Sequence, residues 1–165
     1  MYIERISTRH LEQYKKLRLD ALRERPEAFS ASYEEEVLMP DSKFEERLTH
    51  PDNITLGAFI GETLVGMVTL ITSNRQKTKH NGHIVSMIVS PKYRKHGIGQ
   101  ELLYDIFMEA KNHGIENLFL SVTSLNIAAI HLYHKIGFRY YASEKKAIKV
   151  NDKYYHNDLL VLYLS

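Results

Sequence analysis

Two short stretches hold residues whose types and spacing could do chemistry. In the first, Arg94, Lys95 and His96 lead into Gly97-Ile98-Gly99 at the start of a helix. The opening turn of a helix has backbone N–H groups with no partner inside it and carries the positive end of the dipole, so it suits an anion. Glycine at both positions lets phosphate oxygens approach the main chain, and Arg94 and Lys95 add charge, which together point to a pyrophosphate. A Rossmann fingerprint would need a third glycine where Leu102 stands, and a Walker loop would need Lys-Ser or Lys-Thr after the last glycine. In the second stretch Asn126, Ala129 and Tyr133 are spaced to share one face of a helix. Asn126 can cap that helix or offer its amide, and Ala129 leaves room for a narrow chain. The Tyr133 phenol, with an ordinary pKa near ~10, can give a proton to a departing thiolate of pKa about 8.5. Taken alone, each stretch also has a plainer reading: a solvated basic turn for the first, and for the second an amphipathic core tyrosine followed by a helix stop at Gly137.

The elements that must position these residues follow from periodicity. Tyr2 to Ile6 reads as a strand, and Ser7 or Thr8 can cap a helix whose apolar residues Leu11, Tyr14, Leu17, Ala21 and Leu22 recur at helical spacing up to Pro26. Glu27 to Glu36 lacks clean periodicity and reads as a loop or an irregular turn of helix. A short helix follows, capped by Asp41 or Ser42 and closed by Pro51. Ile54–Ile60 and Leu64–Ile71 form a hairpin around Gly61-Glu62, and Thr72 to Asn81 is a loop. His83 to Val89 is a near-continuous apolar run, as expected of a central strand covered on both faces. A helix from the glycine turn carries Ile98, Leu102, Ile106 and Ala110 on one stripe to Gly114; then come a strand at Leu118–Val122, a helix at Ile127–Lys135, and a final hairpin around Asn151-Asp152. This order predicts an α/β fold: a mixed, mostly antiparallel central sheet of about seven strands, flanked by about four helices on both faces.

At 165 residues, without a linker or repeat, the chain reads as a single domain spanning 1–165. Lysine and arginine number 22 against 20 acids, so nothing in the overall charge calls for nucleic acid or an anionic membrane. There is no cysteine, which removes disulfides, thiolate metal sites and a cysteine nucleophile, and makes a cytoplasmic setting natural. No metal site is expected either: the pairs His80 and His83, and His131 and His134, lack a third ligand. The N-terminus offers no apolar signal region, and no apolar run approaches the ~18 residues of a membrane span.

Together, Val89-Ser90-Pro91-Lys92-Tyr93-Arg94-Lys95-His96-Gly97-Ile98-Gly99 and Asn126-Ile127-Ala128-Ala129-Ile130-His131-Leu132-Tyr133-His134-Lys135-Ile136-Gly137-Phe138 resemble the two hallmark motifs of the GNAT acetyltransferase superfamily. The element order is similar along essentially the whole chain. The resemblance implies acetyl-CoA as cofactor, with Met87, Ile88 and Val89 pairing through their backbone with the pantetheine arm. It implies that Arg94, Lys95, His96, Gly97, Ile98, Gly99 and Gln100 hold the pyrophosphate. Asn126 would contact the arm or its waters, Ala129 would line it, and Tyr133 would stand beside the thioester sulfur as proton donor. In such enzymes the amine attacks the thioester directly in a ternary complex, with a backbone N–H near Ile88 meeting the oxyanion. Many members keep a glutamate on the central strand as base; here no acid lies between His83 and Val89. Substitutes are His83, Ser86 holding a water, an acid of the Glu34-Glu35-Glu36 run, or Asp158.

The family pattern directs the acceptor to Phe29, Tyr33, Glu34, Glu36, Tyr154, Tyr155 and Asp158, beside Ser86; aromatics with acids suit a cationic amine. A solvated charge run is the plainer reading of Glu34 to Glu36. Three functions stay open: acetylation of a small-molecule amine, which is favoured; acetylation of a protein N-terminus or lysine; and a non-catalytic acyl-CoA-binding module. A long open groove would favour a protein acceptor, and a closed pocket ringed by Phe29 and Tyr33 a small one. A homodimer is compatible with any of them.

Overall fold

Residues 1–164 are described by the computed structural model. The first half of the chain builds an antiparallel meander. Strand β1 (Tyr2–Arg5) pairs with β2 (Asn53–Ile60), β2 with β3 (Thr63–Ile71), and β3 with β4 (Asn81–Val89). Strand β5 (Asn117–Thr123) then joins β4 in parallel, and the hairpin of β6 (Arg139–Val150) and β7 (Lys153–Tyr163) completes one sheet in the order β1-β2-β3-β4-β5-β7-β6. Asn151 and Asp152 both take positive φ, 49° and 65°, as a two-residue hairpin turn of matching twist demands.

Helices cover both faces. On one, α4 (Ile98–Asn112) and α5 (Ile127–Ile136) pack over the sheet, and Leu102, Leu103, Ile106, Leu118 and Leu160 are wholly buried between them. On the other, α1 (Leu11–Glu24) and α3 (Asp41–Thr49) bury Ile6, Leu17, Phe44, Phe59 and Met67. Each fully buried large side chain contributes roughly 1.5–3 kcal/mol, so the two layers carry most of the hydrophobic stabilisation. The segment expected to be irregular contains a tight turn at Pro26–Ala28 and one further helical turn, α2 (Tyr33–Glu36), which makes five α-helices. Two expected caps are not used: a tight turn, Thr8–His10, separates Ser7 from α1, and Pro40 occupies the cap position of α3 with no side-chain bond. No helix among the described residues is long and apolar enough to cross a membrane.

Strand β4 departs from expectation in two ways that matter for the site. It is covered on both faces only towards its end, where Ile88 packs under α1; His83 and Val85 are left exposed. It also carries a bulge. Met67 faces Ile88 and Thr69 faces Val85, so Ser86 and Met87 together stand against Val68, with Ser86 at φ 52°. The extra residue reverses the alternation, so Ile84 packs into the α4 layer while Ile88 packs into the α1 layer. On the other edge of β4 the sheet opens past His83, ahead of the bulge. The pairing of β4 with β5 covers only Asn81–His83 against Asn117–Phe119, and the remainders of the two strands diverge.

Candidate active site

The divergence of β4 and β5 creates a cleft of about 470 Å³ that draws the two chemical stretches together. Met87, Ile88 and Val89 line it from β4, Arg94, Lys95, Gly97, Ile98, Gly99 and Gln100 from the glycine turn, and Asn126, Ala129 and Tyr133 from α5. His96 is the one residue of the expected cofactor set outside the lining; its ring Nδ1 lies 2.8 Å from the Arg94 carbonyl. The first bond into the α4 ladder runs from the Glu101 N–H to the Gly97 carbonyl, 3.1 Å, so the amides of Ile98, Gly99 and Gln100 precede any intrahelical acceptor. Amides so placed can receive phosphate oxygens. The two glycines shape this turn differently: Gly97 takes φ 80°, which disfavours a side chain, whereas a Cβ on Gly99 would come within 3.0 Å of Met87 Cε and 3.3 Å of Leu132 Cδ2.

Arg94 is less free than its sequence context suggests. Its Nε donates to the Val89 carbonyl at 2.9 Å, and both terminal nitrogens donate to Glu24 at 2.8 and 3.1 Å. It therefore ties the turn to the end of β4 and to α1, leaving Lys95 and the helix amides as the uncommitted positive groups. Asn126 caps α5: its Oδ1 accepts from the Ala129 N–H at 3.2 Å, which leaves its NH₂ group for the cleft. Tyr133 is 6% exposed and packs edge-on to Phe138, with centroids 5.7 Å apart. Burial pushes its pKa up to about 12. Its hydroxyl has no protein partner, yet no sealed side-chain oxygen lacks one among the described residues, so the hydroxyl opens onto the cleft.

A second cleft, of about 360 Å³, meets the first at Phe29, Met87, Asn126 and Tyr133. Arg18, Ser86, Ser121 and Thr123 are among its polar lining, and no side-chain carboxylate lines it among the described residues. Two compartments that share one tyrosine hydroxyl can hold a donor and an acceptor end to end.

Residues 14–138 match the model of the acetyltransferase (GNAT) family. This chain belongs to that family. Over 113 residues, 68% of each protein, it is 30% identical to the N-alpha-acetyltransferase RimI of Mycobacterium tuberculosis. It is 39% identical over 57 residues to an uncharacterised N-acetyltransferase of Bacillus subtilis, of which this stretch spans 23% of the length. The fold is that of a Salmonella typhimurium acetyltransferase solved with acetyl-CoA, at a TM-score of 0.83 and 16% identity over 100% of this chain and 94% of that one.

In this GNAT chain only part of the expected acceptor set reaches the second cleft. Phe29 and Ser86 line it; Tyr33, Glu34 and Asp158 line neither compartment. The Tyr33 ring is taken by Arg23, 4.8 Å away, Glu34 points to solvent from the first turn of α2, and Asp158 sits in β7 opposite Val122 and Ser143. Tyr154 and Tyr155 are covered by lysines of their own hairpin. His83 stacks on Phe119, 5.5 Å away, in a third cleft of about 450 Å³ that shares Ile84, Val85, Leu120 and Ser121 with the second.

The solvated reading fails at Glu36. It is 2% exposed and accepts from Arg18 at 3.1 and 3.1 Å and from Arg47 at 3.0 and 3.1 Å. Burial alone would raise its pKa, but the hydrogen bonds and charges of the two arginines outweigh it and hold the carboxyl at about 2. A carboxylate so held takes no proton from an amine, which removes Glu36 as a base. Arg18 is the residue that sequence reasoning missed. The signal is its position: Tyr14, Arg18 and Leu22 are four residues apart, so a cation interrupts the buried stripe of α1.

Proposed function

We propose that this chain transfers the acetyl group of acetyl-CoA to the α-amino group at the start of a peptide or protein. The observation that carries the proposal is the junction of the two clefts at Tyr133, with the acceptor side running on through Ile84, Val85, Leu120 and Ser121 onto the open face of the sheet. A closed pocket ringed by Phe29 and Tyr33, the form that favours a small-molecule amine, is not built. The likeness to a protein named as an N-alpha-acetyltransferase supports the same choice.

Bound in the first cleft, acetyl-CoA supplies an activated acetyl thioester. The free amides of α4 and Lys95 would hold its phosphates, the unpaired edge of β4 would hold its arm, and the α5 face would place the sulfur near Tyr133. The acceptor amine forms the new C–N bond as the C–S bond breaks, the Tyr133 hydroxyl donates its proton to the departing sulfur, and the proton shed by the acylated nitrogen returns through water to the tyrosine oxygen. The nitrogen must arrive unprotonated, since among the described residues no carboxylate or histidine lines the second cleft to relieve the ammonium form of its extra proton. A terminal α-amine, with a pKa of about 7.7–8.0, meets that condition far better than a lysine near ~10.4. Thiol release from acetyl-CoA, measured across short peptides, free amino acids and polyamines, tests the reading. Acetylated peptide N-termini in the mass spectrum are expected; polyamines consumed as fast as peptides would exclude it, and silence with every amine would leave a binding module.

A further inference from the structure

Arg18 does more than hold Glu36. Arg47 already donates to both Glu36 oxygens, so that carboxylate is fully paired without Arg18. The three groups together carry one positive charge in excess. Arg18 spends Nε and Nη2 on Glu36 and Nη1 on the Ser86 hydroxyl at 3.1 Å. A guanidinium has five N–H donors, so two remain. The side chain is 11% exposed, and that remnant lies in the second cleft, where Phe29 is 5.0 Å beneath its guanidinium. Ser86 is the chain neighbour of Met87, at the junction with the first cleft. The Ser86 bulge thus sets a cation with spare donors beside the place where the acceptor nitrogen must stand, in a compartment with no carboxylate of its own.

We infer that the acceptor carries a carboxylate close to its reacting amine, and that Arg18, oriented by Glu36 and Ser86, binds it. The inference rests on the acetyl-transfer reading and names the acceptor's chemistry. The same carboxylate can belong to an aspartate or glutamate leading a peptide or to a free amino acid, and the two sources are separable. This reverses the expectation of an acidic, cation-seeking acceptor site. A polyamine would bring positive charge against Arg18, with no anion within the cleft to receive it.

The test is a charge series on the wild-type protein, which needs no folded variant. Peptides with amidated C-termini begin with Asp, Asn, Glu, Gln or Lys, and free aspartate and alanine form a separate arm. A charge-assisted contact predicts kcat/KM at least ~10-fold higher for Asp over Asn and Glu over Gln, chiefly through KM, with Lys lowest. In Arg18→Gln, whose Glu36 keeps Arg47, the Asp-to-Asn ratio falls toward one. Higher turnover of free amino acids than of any peptide would move the carboxylate to the α-position and overturn the peptide reading while keeping the inference. Equal turnover across the charge series would overturn the inference and leave acetyl transfer standing; no thiol release from any member would overturn both.

Discussion

Tyr133 holds its proton more tightly than an ordinary phenol. With its pKa pushed up to about 12 by burial, it lies roughly 3.5 units above a thiol of pKa ~8.5, so complete transfer of the proton in the resting site is uphill by about 5 kcal/mol. In the proposed mechanism its contribution would therefore be a strong hydrogen bond to a sulfur gaining charge, completed as the bond breaks. Tyr133→Phe should lower kcat about 10²-fold while acetyl-CoA still binds, which calorimetry and single-turnover rates would separate. Because the raised pKa keeps the acid protonated to higher pH, wild-type kcat should show no falling limb from this residue up to pH 10; a loss centred near pH 9 would contradict it. Glu36 shows the opposite shift. Its folded pKa of about 2 lies below the ordinary 4.5, so it stabilises the fold above pH 4.5 and loses that effect as pH falls toward 2. Glu36→Gln should lower stability by about 3 kcal/mol at pH 7 and by less than half of that at pH 3, read from urea unfolding of both proteins.

At the scale of elements, α5 is capped by a side chain that also lines the cleft. The Asn126 Oδ1 cap gives Asn126→Ala an expected cost of about 1 kcal/mol in thermal unfolding, whereas Asn126→Asp keeps the cap and loses only the NH₂ donor. An aspartate variant as stable as wild type with weaker acetyl-CoA binding would assign the two halves of the amide to two jobs; equal loss in both variants would reduce Asn126 to a cap. The helices and hairpins were legible because local patterns specify them: the Ile98, Leu102, Ile106 stripe is buried as its spacing requires. What was not legible is non-local. Ser86 bulges because the two halves of β4 feed different layers, and Arg18 meets Ser86 across 68 positions of sequence. The charge run beginning at Glu34 divides after folding, Glu34 outward and Glu36 inward, because only one of its faces meets α1. The glycine turn was legible as the start of α4, while the capture of Arg94 by Glu24 joins residues 70 apart and leaves no local mark.

For the whole molecule, with donor and acceptor seated in the two clefts on either side of Tyr133 as proposed, the pH dependence would belong to the acceptor rather than to the enzyme. Among the described residues Tyr133 is the one phenol lining the acceptor cleft, and with its pKa at about 12 it keeps its proton between pH 6 and 9. The kcat/KM should thus rise with the free-amine fraction, levelling near pH 8 for a peptide N-terminus. At pH 7.5 a lysine side chain should be slower by about two to three orders of magnitude, on basicity alone. A plateau at pH 6 would instead require a base not seen in the cleft. The short union of β4 and β5 has a further meaning for the protein between turnovers. A strand edge without a partner is normally found at the rim of a sheet, where it invites foreign strands; here it lies in the middle, with only Asn81–His83 joined to β5. The pantetheine arm, in taking that edge, would act as a removable seam that protects from hydrogen exchange those amides of residues 84–89 that point away from β3. Stored without its donor, the chain keeps an open zip, and its shelf life should lengthen with acetyl-CoA in the buffer.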